Sequence, residues 1–321
     1  MRSDHCSDPV TVVIPCFNQS RFLDGAIRSV QQQFHAVVEC IVVDDGSTDD
    51  TLSVAARMGV RIIRQANRGV AEARNAGLAA AQTEFIVFLD ADDELMPDAV
   101  ALGGAALRAH ASAAVAVGRC QPIDSFGREL PVVHEEIEFP DLYGRWLARN
   151  FVWTPGAAMF RRESLQSIGG FPAGVGGAAD YAVYLKLARD GRVLVLPHRV
   201  VRYRQHDSSM SRDPASMLRA TLTVLRREER EGGARRDEVA HGRSAWCEWY
   251  GEQIVESLRT DWRAGYRGWK QLRAAATLAR HCPGVLLRHL ARKARVAGAR
   301  LLRYARGAIR PASAEGRRAA R

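Results

Sequence analysis

The chain has 321 residues, 47% of them hydrophobic and 26% charged, which excludes a disordered, collagen-like or mucin-like chain. Its formal net charge is +10, but residues 281–321 alone hold eleven basic residues against one acid, Glu315. The remainder is balanced, so a basic tail is expected, and no nucleic-acid partner.

The first expected element is a buried strand from Val10 to Ile14, β-branched and closed by Pro15. A helix is expected from Arg21 to Gln33, with Phe22, Ala26, Ile27 and Val30 on one face. A second strand, Cys40 to Val43, runs into Asp44-Asp45-Gly46, and Ser47 with Asp50 resembles a capping box for a short helix. Val60 to Ile63 reads as a strand, Val70 to Ala81 as a helix, and Phe85 to Leu89 as a strand ending at Asp90. Met96 to His110 reads as a helix.

This alternation specifies an α/β domain with a mostly parallel sheet flanked by helices. Ligands in such sheets sit at the carboxyl ends of the strands. Asp44-Asp45 and Asp90-Ala91-Asp92-Asp93 each follow a strand, so both are expected in one crevice.

Beyond His110 the expected elements are a strand at Val115 to Val117, a helix at Leu142 to Ala148 and a strand at Ala157 to Phe160. A glycine-rich loop (173–178), a helix at Tyr181 to Ala188 and one or two strands around Pro197 follow. No strand is expected after Pro214. Residues 285–310 fit a basic amphipathic helix at about 100° per residue. Leu286, Leu290, Ala297, Leu301 and Tyr304 share one face, with Arg288, Arg292, Arg295, Arg303, Arg306 and Arg310 opposite.

Asp90-x-Asp92 at a strand end suits a hard oxygen site for Mg²⁺ or Mn²⁺, completed by substrate phosphates. The alternative is a solvated acidic turn. Asp44-Asp45-Gly46-Ser47 could accept hydrogen bonds from a base or ribose, or could cap a helix. Arg74 could reach a base or phosphate, or lie on a solvated helix face. After the first strand no glycine occurs until Gly25, which excludes a dinucleotide fingerprint and a P-loop there.

Together these segments resemble the family 2 glycosyltransferases of the GT-A fold. The resemblance runs through Val12-Val13-Ile14-Pro15-Cys16-Phe17-Asn18 and Val42-Val43-Asp44-Asp45-Gly46-Ser47-Thr48-Asp49. It continues through Asn67-Arg68-Gly69, Ala73-Arg74-Asn75-Ala76-Gly77 and Phe88-Leu89-Asp90-Ala91-Asp92-Asp93. A weaker match covers Gly169-Gly170-Phe171, Asp180-Tyr181 and Tyr203-Arg204-x-His206-x-x-Ser209-Met210-Ser211.

The resemblance implies an inverting transfer from a nucleotide-diphosphate sugar, with UDP as the expected nucleotide, to a hydroxyl of a glycan or lipid-linked acceptor. Cell-surface polysaccharide or glycoconjugate biosynthesis is the implied role. Asp44 or Asp45 would hold the base, and Asp90 the ribose or metal. Pro15, Phe17, Asn18, Arg74 and Ala91 would belong to the donor site. Asp92 would bind Mn²⁺ or Mg²⁺, with His206 completing the shell and Arg204 pairing with phosphate. Asp180 would be the general base. Ala179 stands where the family usually has Glu, which motivates a rival reading as a non-catalytic nucleotide-sugar-binding or membrane-surface scaffold protein.

The implied organisation is a GT-A domain over residues 1–213 and a helical, basic extension over 214–321. Met1 to Pro9 is polar, unlike a signal peptide, and no apolar run approaches the roughly twenty residues of a membrane span. A cytoplasmic location is expected, with residues 285–310 as a contact to an anionic membrane on its inner face. The six cysteines have neither C-x-x-C nor zinc spacing and read as free thiols.

Overall fold

The computed structural model describes residues 9–34, 37–132, 141–207 and 209–308, with side chains through residue 299. The polar start through Asp8 and Cys6, and the side chains of Leu301, Arg303, Tyr304, Arg306 and Arg310, lie outside the described parts. The chain divides into two compact units, Met1–Trp246 and Cys247–Arg321.

The first unit is built on strands β1 (Val10–Cys16), β2 (Val38–Asp44), β3 (Arg61–Arg64) and β4 (Phe85–Phe88). These alternate with helices α1 (Ser20–Gln31), α2 (Thr51–Arg57) and α3 (Val70–Ala80). β1 pairs in parallel with both β2 and β4, and β2 with β3. Every residue of β1 is buried, as a strand covered on both faces requires. Parallel pairing puts the ends of β1, β2 and β4 on one edge, and the two acidic clusters with them.

α3 lies against β1 through Gly77, where an added Cβ would come within 2.2 Å of a Val13 methyl. Only a glycine permits that approach.

The sheet continues through β5 (Glu94–Leu95), helix α4 (Ala99–Ala109), β6 (Val115–Ile123), helix α5 (Leu142–Ala148) and β7 (Ala158–Arg161). Helices α6 (Arg162–Ser167) and α7 (Ala179–Arg189) precede β8 (Val193–Arg204). The strand order is β3-β2-β1-β4-β7-β6-β8-β5. The β4–β7, β6–β7 and β5–β8 pairs are antiparallel and the other four parallel. Helices α8 (Pro214–Arg230), α9 (Arg236–Arg263), α10 (Trp269–His281) and α11 (Pro283–Ala308) follow. No strand occurs after residue 213 among the described residues, as expected.

Two expectations change, and a third is narrowed. The helix expected from Met96 starts at Ala99, because Glu94 and Leu95 pair with β8 and Met96 N–H donates to Val200 O. Pro97 then separates ladder from helix. The Ser47/Asp50 capping box does not form. Ser47 Oγ accepts from Asn18 N instead, and Asp49 Oδ1 accepts from Thr51 N and Oγ1. The segment around Pro197 is one strand, and a register shift opposite Gly118 accommodates the proline.

The strands end at Arg204, but the first compact unit runs on to Trp246. Trp246 Nε1 donates to Leu147 O at 2.9 Å, and its ring packs edge-on against Tyr181. In the second unit Cys247 Sγ lies 3.1 Å from His281 O, and Gln271 Nε2 donates to Asp261 Oδ2 at 2.9 Å. α10 therefore folds back along the later part of α9. α11 returns alongside it, with Arg288 on Glu248, His289 on Glu252 and Val285 against Gly251. The buried side of α11 is centred on Val285, while Leu290, on the apolar face read from sequence, is exposed.

Cys16, Cys40 and Cys120 are free thiols, as expected, and these three are buried, as are Cys247 and Cys282. Among the described residues no helix is long and apolar enough to cross a membrane.

Candidate active site

The crevice begins where β1 ends. Asn18 adopts a left-handed backbone, φ 53°, and its Oδ1 accepts from Thr48 N at 2.8 Å. With the Asn18 N–H on Ser47, this ties the Pro15-Cys16-Phe17-Asn18 turn to the Asp44-Asp45-Gly46-Ser47 turn. Pro15 is buried in β1, and Phe17 is exposed at the turn. Gly46, φ 80°, must be glycine, since a Cβ would lie 2.9 Å from Asn67 N.

The two aspartates of that turn differ. Asp45 is saturated: it accepts from Gln65 Nε2, Arg68 N and Gly69 N at 2.8–2.9 Å and so holds the Asn67-Arg68-Gly69 loop. Asp44 is fully buried and accepts from Ser47 N through Oδ1. Its Oδ2 makes no hydrogen bond and faces Arg64 Nε at 3.6 Å.

α3 delivers Arg74 and Asn75 in succession. Arg74 is buried, and its Nη2 donates to Asp90 Oδ1 at 2.7 Å. Its guanidinium lies 5.4 Å from the Phe171 ring centre. Asn75 clamps the backbone of Phe171, accepting from its N–H and donating to its carbonyl, both at 2.8 Å. The helix thereby fixes the loop that leads to α7.

α7 carries Asp180 in its first turn. The N-cap is Ala178, so Asp180 does not cap the helix. α7 is buried nearly all round. Tyr184 stacks on Trp146 and Phe160, and Tyr181 Oη donates to Trp146 O at 2.7 Å. Burying a ring of this size stabilises by about 2–3 kcal/mol. Asp180 is 7% exposed, while Ala179 is completely buried.

Burial raises the Asp180 carboxyl to about 6, opposed by the positive charge of Arg74 and reinforced by Asp90. Burial and the Asp180 charge also push the Tyr184 hydroxyl up.

The third wall comes from the far end of the sheet. β5 pairs with β8, and this carries Arg204 and His206 to the Asp90–Asp93 turn. His206 Nε2 lies 2.7 Å from Asp92 Oδ2, and its ring is 4.8 Å from that of Phe22. Burial and the neighbouring Asp90 charge raise the Asp92 carboxyl, against the lowering effect of His206. Asp93 is a structural anchor. It accepts from Thr154 Oγ1 at 2.6 Å and from Arg204 N at 2.8 Å. Burial and two neighbouring aspartates push its carboxyl well up. Ala91, between Asp90 and Asp92, is buried.

Arg204 was expected to pair with a phosphate. Its guanidinium is instead committed to protein: it donates to Asp92 O at 2.8 Å, pairs with Glu94, and lies 5.2 Å from the Phe22 ring centre. Arg74 thus links Asp90 with Asp180, and Asp92, in the same turn as Asp90, pairs with His206, while Asp45 and Arg204 hold the neighbouring loops.

Asp93, Thr154, Asn75 and Phe22 were not among the expected site residues. Asp93 and Asn75 lie inside the quoted motifs, which marked them. Thr154 falls in a stretch with no motif, and its contact is with a residue 61 positions earlier.

Residues 11–169 match the model of glycosyl transferase family 2. The chain belongs to this family. Its similarity to chondroitin synthase of Escherichia coli is 32% identity over 187 residues, 57% of this chain and 27% of that protein. An uncharacterised glycosyltransferase of Nostoc sp. is 43% identical over 94 residues, 27% of this chain and 29% of that protein. The family 2 chain thus spans less than a third of the length of these curated relatives.

Among solved structures, Staphylococcus aureus TarS 1–349 in complex with UDP-GlcNAc superposes with a TM-score of 0.62 at 19% identity. That likeness covers 85% of this chain and 80% of that one. The mannosyltransferase PcManGT of Pyrobaculum calidifontis, in complex with GDP-Man and Mn²⁺, gives 0.57 at 22%, covering 90% and 80%. At these identities the likeness establishes the fold, that of the GT-A glycosyltransferases. The family match ends at residue 169, before Asp180, Arg204 and His206, so the functional reading of these three rests on their placement.

Proposed function

We propose that this family 2 protein transfers a sugar, with inversion, from a nucleotide-diphosphate donor to an acceptor hydroxyl of a glycan or lipid-linked molecule. The observation that carries this reading is Arg74, hydrogen-bonded to Asp90 and electrostatically coupled to Asp180, beside the Asp92–His206 pair. One crevice then holds a proton acceptor and, a few residues away, a site for a departing diphosphate.

The roles follow from the chemistry. Asp180, with its carboxyl at about 6, is ionised at neutral pH and a stronger base than an ordinary aspartate. It takes the proton of the acceptor hydroxyl as the new bond forms. Arg74 keeps Asp180 and Asp90 from repelling each other. Asp90 faces the ribose or metal, and Asp44 Oδ2, which accepts no hydrogen bond and faces Arg64 Nε, is the acceptor that a base or ribose donor would reach once Arg64 swings aside. Pro15, Phe17 and Asn18 shape the entry to the base pocket. Asp45 and Arg204 act as positioning residues, because their polar atoms are already taken.

The donor set fits a divalent metal. Asp92 and His206 supply a carboxylate oxygen and an imidazole nitrogen, which suit Mn²⁺ or Mg²⁺ in that order. Burial, with the Asp90 charge added to it, raises the Asp92 carboxyl, and a bound dication would offset both. Among the described residues no group of three or more His, Cys, Asp or Glu could hold a metal ion by itself, so phosphate oxygens would have to complete the shell. When bound, the metal neutralises charge on the leaving diphosphate.

UDP-GlcNAc accompanies TarS and GDP-Man accompanies PcManGT, and both are donors of the class proposed here. The transferase domain is read as residues 1–213 and the helices beyond as an extension. Surface glycan synthesis at the cytoplasmic face of the membrane is the role that fits a lipid-linked acceptor. The rival reading, a donor-binding protein without transfer, draws on Ala179.

Calorimetric titration of UDP tests the donor site. Binding should require Mn²⁺ or Mg²⁺, vanish with EDTA, and fall sharply in Asp92→Asn. A folded protein that binds neither UDP, GDP nor TDP overturns the reading. Acceptor-dependent UDP release that is lost in Asp180→Asn removes the non-catalytic rival.

A further inference from the structure

The second compact unit ends in an aromatic and basic tip. α9 and α10 are antiparallel, and Gln271 on Asp261 fixes their joined end. Every residue from Trp262 to Lys270 is exposed, including Trp262 at 64%, Tyr266 at 64% and Trp269 at 81%, and Leu272 beyond them is 60% exposed. Exposing rings of this size costs several kcal/mol of burial that the fold leaves unused. Basic side chains are interleaved with them: Arg263, Arg267, Lys270 and Arg273, against the single acid Asp261. Arg267 lies 4.3 Å from the Trp262 ring centre.

The same end receives the later part of α11. Its pairing order with α9 (Arg288 on Glu248, His289 on Glu252 and Arg259) makes α11 run in the direction of α9. A groove of about 340 Å³ between Arg259, His289, Arg292, Lys293 and Val296 therefore lies toward the tip. Amphipathic aromatics flanked by cations suit the boundary between lipid headgroups and acyl chains, where each ring keeps its polar edge wet. Cations beside them are attracted by anionic headgroups.

We infer that the tip formed by Trp262, Tyr266, Trp269 and Leu272, with Arg263, Arg267 and Lys270 around it, docks the protein on an anionic lipid bilayer. The docking element expected from sequence was the basic amphipathic helix of residues 285–310, on which Leu287, Leu290 and Val296 are exposed. The tip adds aromatic rings that suit the interface. This inference deepens the proposed membrane contact and is independent of sugar transfer.

The test is flotation of the full chain with vesicles of phosphatidylcholine and phosphatidylglycerol in equal parts, and with phosphatidylcholine alone. Wild type should float with the mixed vesicles only, with a blue shift of tryptophan emission. The triple variant W262A/Y266A/W269A should bind about tenfold more weakly or less, and lose the blue shift. Its melting temperature and UDP binding should be unchanged, because these side chains are exposed. Equal binding by the triple variant overturns the inference and leaves a purely electrostatic tail contact. Light scattering that shows a dimer in wild type, lost in the variant, overturns it in favour of a second copy covering the tip. A chain that floats but binds no UDP sinks the transferase reading and leaves the tip standing.

Discussion

Arg74 Nη2 and Asp90 Oδ1 meet at 2.7 Å, with the guanidinium buried and the carboxylate at the crevice floor. One helix residue and one strand-end residue, sixteen positions apart, thus share a charge in partial isolation from water. The same cation lowers the carboxyl of Asp180 against its burial. Arg74 is the electrostatic centre of the site, and the predictions begin from it.

Arg74→Ala should remove the one cation that opposes the burial of Asp180, so the Asp180 carboxyl climbs above about 6. The acid limb of the transfer rate should move to higher pH. Stripping one partner from a buried pair costs about 3–5 kcal/mol, and the partial exposure of Asp90 places the loss at the lower end. Thermal unfolding and a pH–rate profile check the two effects. An unmoved acid limb would show that Arg74 does not act on Asp180.

Asp180→Asn should abolish transfer, by about two to four orders of magnitude, with UDP binding retained. In wild type, kcat/KM should rise with pH through a midpoint near 6, since the base works only when ionised. The stability effect has the opposite sense. A carboxyl raised from 3.8 to about 6 binds its proton more tightly when folded. Its stabilising contribution is full below about pH 4 and is lost as pH rises through about 6. Asp180→Asn should therefore melt higher than wild type at pH 7, by up to about 3 kcal/mol. A variant that is both inactive and less stable at neutral pH argues for a structural role.

His206→Ala should weaken metal-dependent UDP binding by about ten- to a hundredfold at a fixed Mn²⁺ concentration and recover it as Mn²⁺ is raised. Calorimetry over a series of Mn²⁺ concentrations checks this. Binding that stays weak at every Mn²⁺ concentration would mean that the ring only packs against Phe22.

Gly170 has φ 69°, and an added Cβ would lie 2.5 Å from Asn75 Oδ1. Gly170→Ala should cost about 1–3 kcal/mol from the backbone alone, and more if Asn75 is displaced. Asn75→Ala removes two hydrogen bonds to Phe171 and should cost about the same. Combined, the two changes should cost less than their sum, because both break one clamp. Strict additivity in denaturant unfolding would separate them.

The half of the site on β1, β2 and β4 was legible from sequence. Its residues follow apolar strands directly, so the period of the pattern locates each carboxylate within a residue or two. Asp44, Asp45, Asp90 and Asp92 are all found at the strand ends where they were expected. The second half was legible only as motif fragments. Asp180 and His206 lie 90 and more residues beyond the strands they face, and nothing local says which wall they complete. The short β5 escaped because two residues give no periodicity, and a helix pattern overlapped them. For Arg204, a cation near a phosphate site has two ways to be satisfied, and Glu94 with the Asp92 carbonyl supplies one that no local pattern announces.

Sequence by itself determined the alternation of strands and helices, the acidic strand ends and the absence of strands among the described residues past 213. Hydrophobic period, turn glycines and prolines act over a few residues, so a linear reading captures them. Only the tertiary structure decided which polar atoms remain free. Asp45 is spent on the 65–69 loop while Asp44 Oδ2 accepts no hydrogen bond and faces Arg64, and Asp180 is raised while Arg74 holds it ionisable. Those outcomes depend on burial and on charges brought together by β5–β8 pairing and the Asn75 clamp, and free energy of that kind has no local signature in the chain.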